Sequence, residues 1–394
     1  MSGLTGKIRS WGQDAPDVSD AWLVLQTLPG MSPERLQKLM EAYGDPLEAL
    51  AAPRGDFTRI AGRKASDALR QDSPKDIARR LRRKAESEGA SLLTRDSAGF
   101  PEPLRQIYGA PGALYMRGEL RSSDTLSVAI VGTRNPTRYG RRVARDLAGS
   151  LAERGITIVS GLARGIDAEA HQAALEAGGR TIGVLGCGLG VNYPAGHEEM
   201  RSRIISSGAV ITELTWDTPP RPENFPRRNR LISGLCLATI VVEAALRSGA
   251  LLTARLALEQ GRELMAVPGP VDSDRSAGCH RILKDGAHLI ESAGDVLQAF
   301  PVYIKEELEA LIRENSPAGS DGGTFESALP AASLPSSLSS EEMAVMKLLG
   351  DGPNTIEGLT REIRFAPEDV SGILLRLELR GLLRQTESGL YEKA

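Results

Sequence analysis

Six short apolar runs rich in β-branched residues recur through the middle of the chain and constrain its fold more than any other feature. Successive runs begin 25 to 29 residues apart, with helix-like stretches between them. That spacing suits repeated strand–helix units, which predict a parallel sheet buried on both faces and joined by right-handed crossovers. The runs are Ser127–Val131, Ile156–Val159, Thr181–Leu185, Ala209–Glu213, Ala238–Val242 and Glu263–Val267.

The segments on either side of this α/β region have different residue patterns. Residues 1–88 combine a loose polar lead with helical patterns, including a hairpin in which Ser32 is placed to cap a helix that starts at Pro33. The hairpin is similar to a DNA-binding helix-hairpin-helix, but Ser32 replaces the usual second glycine, so a small helical packing module is the favoured interpretation. A further helix is predicted from Pro74 to Glu86, with Ser73 as its cap, and it carries a basic run typical of a solvated face.

The C-terminal part separates into a linker and a compact end. Residues 301–338 become rich in Ser, Gly, Pro and Ala, which predicts a flexible connection. Residues 339–394 predict three helices and a β-wing, and thus resemble a winged helix. This segment has ten acidic and seven basic residues, so its charge favours protein contact or packing over reading a DNA groove. The boundaries predict four parts: 1–88, 89–300, 301–338 and 339–394.

Bulk composition narrows the class of protein. The 394 residues have a net charge of −3, which does not indicate nucleic acid but leaves room for local basic patches. Cys187, Cys236 and Cys279 lie far apart, which predicts reduced thiols and no zinc site. The four histidines lack metal-ligand spacing. With no evident targeting or membrane segment, we expect a cytoplasmic protein.

The turn from Ser160 to Asp167 is the first candidate site. Small residues connect a strand to a helix there, so backbone amides at the helix N-terminus are placed to hold a phosphate. A tight turn without a ligand is the alternative. The P-loop, the dinucleotide fingerprint and the nucleophile elbow are all absent. Asp167, Glu213 and Glu243 follow strands, and carboxylates in such places more often cap helices or pair with arginines than act as catalysts.

Arginines gather at the same edge of the sheet. Residues 134–146 contain five arginines and one acid, and residues 221–230 contain four arginines and one acid around Phe225. Arginines bind phosphates and stack on bases, and one aromatic ring among them suits a single strand better than a duplex. Some of the first group fall on a predicted helix, where a solvated face is the alternative: Arg138, Arg141, Arg142 and Arg145.

Four motifs, in this order, are similar to those of the DprA family, also called Smf, of DNA-processing proteins. The resemblance covers about residues 90–300, and the flanking domains fit the same layout. The motifs are Ala129–Pro136, Ser160–Asp167, Phe225–Ile232 and Ser248–Ala254.

The resemblance implies an extended Rossmann-like domain that binds single-stranded DNA. It implies protection of incoming strands during natural transformation, loading of the RecA recombinase, a homodimer formed through the Rossmann-like domain, and no catalytic activity, cofactor or metal. Arg230 and Asn229 are equally open to a structural role. The expected DNA-binding residues are Arg134, Ser160, Gly161, Ala163, Arg164, Gly165, Arg221, Phe225, Arg227, Arg228, Asn229 and Arg230.

An enzyme acting on nucleotides is the alternative. The turn at Gly249–Ala254 is faintly similar to that of Rossmann-like phosphoribohydrolases, but the glycine-rich motif and glutamate of that family are missing. Release of free base from nucleoside monophosphates would distinguish the two functions.

Overall fold

The structure is a computed structural model, and it divides the chain into two compact units, Met1–Pro317 and Ala318–Ala394. Its described residues are 16–300, 304, 345, 347–349, 355, 358–360, 373–374, 377, 383–385 and 391–393. The predicted linker at 301–338 lies outside these residues apart from Ile304, and so does most of the polar lead. Within the described part, no helix has the length and apolar character needed to cross a membrane.

Six helices form the N-terminal part of the first unit. The predicted caps are confirmed: the Ser32 hydroxyl accepts from the Arg35 amide at 3.3 Å, and the Ser73 hydroxyl accepts from the Asp76 amide at 3.1 Å. The helices are α1 (Val18–Thr27), α2 (Pro33–Tyr43), α3 (Pro46–Ala51), α4 (Arg54–Ala61), α5 (Arg63–Gln71) and α6 (Pro74–Ser87).

These helices share a hydrophobic core with one region of the sheet. Leu23 and Leu25 of α1 are fully buried in the same cluster as Tyr115 and Trp216. The hairpin turn before α2 is also packed inward, because Pro33 is buried and lies 2.9 Å from where a Cβ on Gly109 would stand. The turn therefore contacts the α/β part of the protein, as expected for a packing module.

A nine-stranded sheet organises the rest of this unit, in the order β1-β2-β6-β5-β4-β3-β7-β8-β9. The seven strands from β6 to β9 in that order are parallel, whereas β2 pairs antiparallel with β6 and β1 pairs antiparallel with β2. The strands are β1 (Ser91–Thr94), β2 (Ala113–Gly118), β3 (Ser127–Val131), β4 (Thr157–Ser160), β5 (Thr181–Val184), β6 (Ala209–Thr212), β7 (Ala238–Val241), β8 (Glu263–Ala266) and β9 (His288–Leu289). All six predicted runs are strands, within one residue at each end.

Helices cover both faces of the sheet, as continuous apolar strands require. One face packs under α8, α9 and α14, and the other packs under α7, α11 and α12. These helices and their neighbours are α7 (Glu102–Arg105), α8 (Arg138–Glu153), α9 (Ile166–Glu176), α10 (Glu198–Ser207), α11 (Asn224–Leu235), α12 (Gly249–Glu259), α13 (Ala277–Lys284) and α14 (Ala293–Ala299). The fold is the predicted α/β class, with a parallel Rossmann-like sheet extended by the antiparallel pair β1 and β2.

The second unit has a small core of its own. Val345, Leu359 and Leu377 are buried together with Leu383. Strands β10 (Leu383–Gln385) and β11 (Tyr391–Lys393) pair antiparallel, with Leu383 opposite Lys393. This hairpin is the predicted wing; the predicted helices of this unit lie mostly outside the described residues.

Candidate nucleic-acid interface

Loops that follow β3, β4 and β5 meet the start of α11 at the carboxyl edge of the sheet, where open α/β sheets bind their ligands. Two adjoining cavities of about 520 Å³ and about 490 Å³ lie at this edge. We call them together the groove. Both are lined by Arg134, Ala163, Tyr193, Phe225 and Arg228.

Phe225 is the aromatic centre of the groove. Its ring centroid lies 5.5 Å from that of Tyr193, with the planes tilted by 43°. The Arg134 guanidinium carbon lies 5.5 Å from the Phe225 centroid. A Cβ on Gly186 would stand 2.7 Å from the Phe225 ring, so a glycine there lets the ring pack closely on the end of β5. The result is a cation over one aromatic ring of a two-ring cluster.

The turn after β4 differs from a simple phosphate cradle. The Ser160 hydroxyl is fully buried and donates to the Ile130 carbonyl at 2.6 Å. The Asp167 carboxylate accepts from the amides of Gly161 and Ala163 at 3.1 and 3.4 Å. The protein's own carboxylate thus takes two amides that the cradle prediction offered to a phosphate.

Other amides of the same turn remain open. Within residues 16–300, the backbone amides of Leu162, Arg164 and Gly165 donate to no acceptor. Leu162 has a φ of 53°, an uncommon left-handed conformation for a branched side chain, and it lines the larger cavity beside Arg164. The adjacent free amides of Arg164 and Gly165 suit an anion, whereas Leu162 is only 1% exposed.

The buried side chain of Arg228 is hydrogen-bonded to this turn. It is only 5% exposed, and it donates to the Gly161 carbonyl at 2.7 Å and to the Val184 carbonyl. Burial lowers the pKa of Arg228 to about 10, although the nearby Asp167 charge opposes the shift. Burial also raises the pKa of Asp167, against the charge of Arg228 and the two amides. Arg228 therefore ties the ends of β4 and β5 together through the Gly161 and Val184 carbonyls, while Asp167 is bound by the amides of the turn.

Three arginines are exposed around the groove without a carboxylate partner among the described residues: Arg134, Arg164 and Arg221. The helix-face arginines differ, since Arg141 pairs with Glu169 at 2.9 Å and Arg145 pairs with Glu169 and Glu176. For those two, the solvated-face alternative holds. Arg138 and Arg142 of α8 are exposed and form no ion pair among the described residues, so unpaired arginines are not confined to the groove.

Of the remaining predicted site residues, Asn229 lies at the groove, and the others pack against other parts of the protein. Arg230 is 7% exposed and forms a buried ion pair with Glu213, away from the groove. Arg227 is half-buried and contacts the Met31 carbonyl at 3.5 Å. Asn229 lines the groove, whereas Gly165 packs directly against the backbone of Arg134. The structure therefore gives Ser160, Arg228 and Arg230 internal partners, and tertiary packing decides this rather than residue type.

The three carboxylates at strand ends also have internal partners. Glu243 accepts from the amide and hydroxyl of Thr137, which caps α8. Glu213 pairs with Arg230, and Asp167 caps the turn after β4. No group of three metal-ligating side chains occurs in the described part of the chain.

Of the five residues that line both cavities, Tyr193 is the one absent from the predicted site. It lies in the loop after β5, between Asn192 and Pro194, and lines both cavities. The one available signal was an aromatic side chain in a small-residue loop that follows a strand.

Residues 91–301 match the family model described as DNA recombination-mediator protein A. The chain belongs to the DprA/Smf family. Residues 329–389 also match the DprA winged helix domain, which agrees with the core and wing of the second unit.

The matches between this chain and its relatives cover different shares of the sequence. Protein Smf of Escherichia coli is 47% identical over 208 residues, which cover 52% of this chain and 56% of that relative. Protein Smf of Synechocystis is 32% identical over 325 residues, 78% of this chain and 81% of that relative. The X-ray structure of DprA from Streptococcus pneumoniae matches with a TM-score of 0.61 and 33% identity, over 71% of this chain and 96% of that one.

Proposed function

We propose that this protein is a recombination mediator that binds single-stranded DNA. The observation that carries the proposal is the Arg134 guanidinium stacked at 5.5 Å over Phe225, within a groove rimmed by unpaired arginines. Cations beside an aromatic platform are the combination by which proteins hold single strands without sequence preference. Membership of the DprA/Smf family supports the same function.

The proposed contacts divide by chemistry. Arg134, Arg164 and Arg221 neutralise backbone phosphates, since they are exposed and have no carboxylate partner among the described residues. Phe225 and Tyr193 offer stacking surface to one base or two, each worth about 1–3 kcal/mol. The turn at Gly161–Gly165 lets the strand approach the backbone closely and offers its open amides.

The shape of the groove favours a single strand over a duplex. The Phe225 and Tyr193 rings lie within cavities, so a base must leave the stack of a double helix to reach them. In a single strand the bases are free to turn toward such rings. A duplex would contact only the arginine rim, and we expect it to bind more weakly.

The wider role is part of the same proposal. The protein covers incoming strands during natural transformation, loads RecA onto them, and acts as a homodimer through its Rossmann-like domain, in the cytoplasm and without catalysis. For the domains, we propose limits of 1–88 for the helical part, 89–300 for the DNA-binding part, 301–338 for the linker and 339–394 for the winged helix. RecA nucleation on a strand coated with single-strand-binding protein, with and without this protein, tests the loading.

Competition between strands tests the binding itself. A labelled oligothymidylate bound to the full chain is challenged with unlabelled single strand or duplex of equal length. We expect the single strand to compete at a concentration at least about tenfold lower, and the affinity to fall steeply with salt. Equal competition by duplex would contradict the proposal.

A further inference from the structure

A smaller cavity, lined by two arginines with unsatisfied N–H donors, lies apart from the groove at the junction of the N-terminal helices and the sheet. Its volume is about 70 Å³, several times smaller than either cavity of the groove. We call it the seam. Its walls come from the hairpin turn before α2, the loop before β2, the end of β6 and the opposite side of α11, and include Ser32, Gly109, Glu213, Arg227 and Arg230.

The arginines of the seam have unsatisfied donors. In the described part of the chain, Arg230 Nε and Nη1 and Arg227 Nε are buried without a hydrogen-bond partner. The remaining Arg230 bond is the ion pair with Glu213, and the Arg227 bond to the Met31 carbonyl is long at 3.5 Å. A buried N–H group left without an acceptor is costly, and more so on a charged side chain. Such a site calls for an acceptor that the chain itself does not provide.

We propose that the seam binds one phosphate group, held by Arg227 and Arg230 beside the start of α2. An oxyanion offers several acceptors at once, which matches the unpaired guanidinium donors. The cavity is too small for a nucleotide, but it opens to solvent because Ser32 and Arg227 are only half-buried. The inference does not rest on the proposed function of the groove.

The carboxylate of Glu34 competes with a bound phosphate for the positive charges of Arg227 and Arg230. Glu34 is exposed in the first turn of α2. Against desolvation, which raises it, the Ser32 hydroxyl, the Glu34 amide and the charges of Arg227 and Arg230 hold the pKa of Glu34 below its ordinary value. Glu213 is the second facing acid, and it neutralises one side of Arg230. Removal of the Glu34 charge should therefore strengthen phosphate binding, whereas removal of the Arg227 charge should weaken it.

Thermal unfolding of the full chain in sodium phosphate and in sodium chloride of matched ionic strength tests the proposal. Wild type should unfold at a higher temperature in phosphate, Glu34→Gln should enlarge that difference, and Arg227→Gln should abolish it. Arg281→Gln removes an exposed cation from α13 and should change nothing. Arg134→Ala should keep the difference, because its cation belongs to the groove. A wild-type midpoint equal in the two salts, or an unchanged difference in Arg227→Gln, would overturn the proposal.

The source of the phosphate can be distinguished with the same variants. If a backbone phosphate of bound DNA occupies the seam, Arg227→Gln should reduce the slope of log affinity against log salt by about 0.7 for a single strand. If free phosphate occupies it, that slope should stay unchanged while the thermal effect is lost. A failure of the groove to bind DNA would leave the thermal result intact, so the two proposals fail independently.

Discussion

The buried Arg228 guanidinium occupies the space in which a side chain at Gly161 would stand. Arg228 Nη1 donates to the Gly161 carbonyl at 2.7 Å and lies 2.5 Å from where a Cβ on Gly161 would be. The turn after β4 and the helix α11 are therefore fitted to each other through one glycine and one arginine. This contact fixes the position of α11, and thereby of Phe225, relative to the turn.

The fit predicts that Gly161→Ala destabilises the protein. The added methyl group must displace a buried guanidinium, so we expect the free energy of unfolding in urea to fall by about 1–3 kcal/mol. Gly55→Ala is the matched control, since it lies in α4 with nothing within 4 Å of the added Cβ. The control should be neutral or stabilising by up to about 1 kcal/mol. A Gly161→Ala protein as stable as wild type would show that Arg228 moves freely.

The ion pair between Arg230 and Glu213 predicts strong coupling. Both side chains are less than 10% exposed, so either single change leaves a buried charge without its partner. We expect Arg230→Met or Glu213→Leu alone to lower the free energy of unfolding by about 3–5 kcal/mol. The double variant should lose less than the sum of the two, with a coupling energy of about 0.5–3 kcal/mol. Strict additivity in urea denaturation would refute the pairing.

His171 predicts a dependence of stability on pH. It is fully buried, and its Nδ1 lies 2.6 Å from the Thr181 hydroxyl oxygen, which itself donates to the Ile158 carbonyl. Burial lowers the pKa of His171 to about 3. Between the ordinary value near 6.5 and pH 3, the unfolded chain binds a proton that the native protein does not. Stability attributable to His171 should therefore decline as the pH is lowered through this range, with a slope approaching about 1.4 kcal/mol per pH unit.

The variant His171→Gln isolates this effect. A glutamine keeps a hydrogen bond to Thr181 but binds no proton. The difference in unfolding free energy between wild type and variant should shrink or reverse as the pH falls from 7 toward 5. Parallel pH profiles for the two proteins would mean that His171 is not the titrating group.

Most of the sheet could be predicted from the sequence because buried parallel strands are continuous apolar runs at regular intervals. Strands β1 and β2 were missed because they pair antiparallel and lie outside the regular spacing of 25 to 29 residues. Ser91–Thr94 also shows little of a buried pattern, since β1 is an edge strand exposed at its first residue. Strand pairing at a sheet edge depends on neighbours that sequence periodicity does not reveal.

The candidate site was predictable only in outline. Arg134 and Phe225 follow directly from their places at strand ends and in the basic segment. Arg227, Arg228 and Arg230 are equivalent in the sequence, yet packing turns Arg228 under the turn after β4 and Arg230 toward Glu213. Their separate roles depend on which face of α11 packs against which neighbour. The order of residues along α11 does not specify that packing.

The affinity of Arg134→Ala for a labelled oligothymidylate tests the central claim most directly. Fluorescence anisotropy at fixed salt compares wild type, Arg134→Ala and the control Arg281→Ala, after equal melting temperatures have been established. Loss of one charged contact of about 1.5–3 kcal/mol predicts that Arg134→Ala binds at least about tenfold more weakly, with the control unchanged. If Arg134→Ala binds the strand as tightly as wild type, the groove is not the site of single-stranded DNA binding.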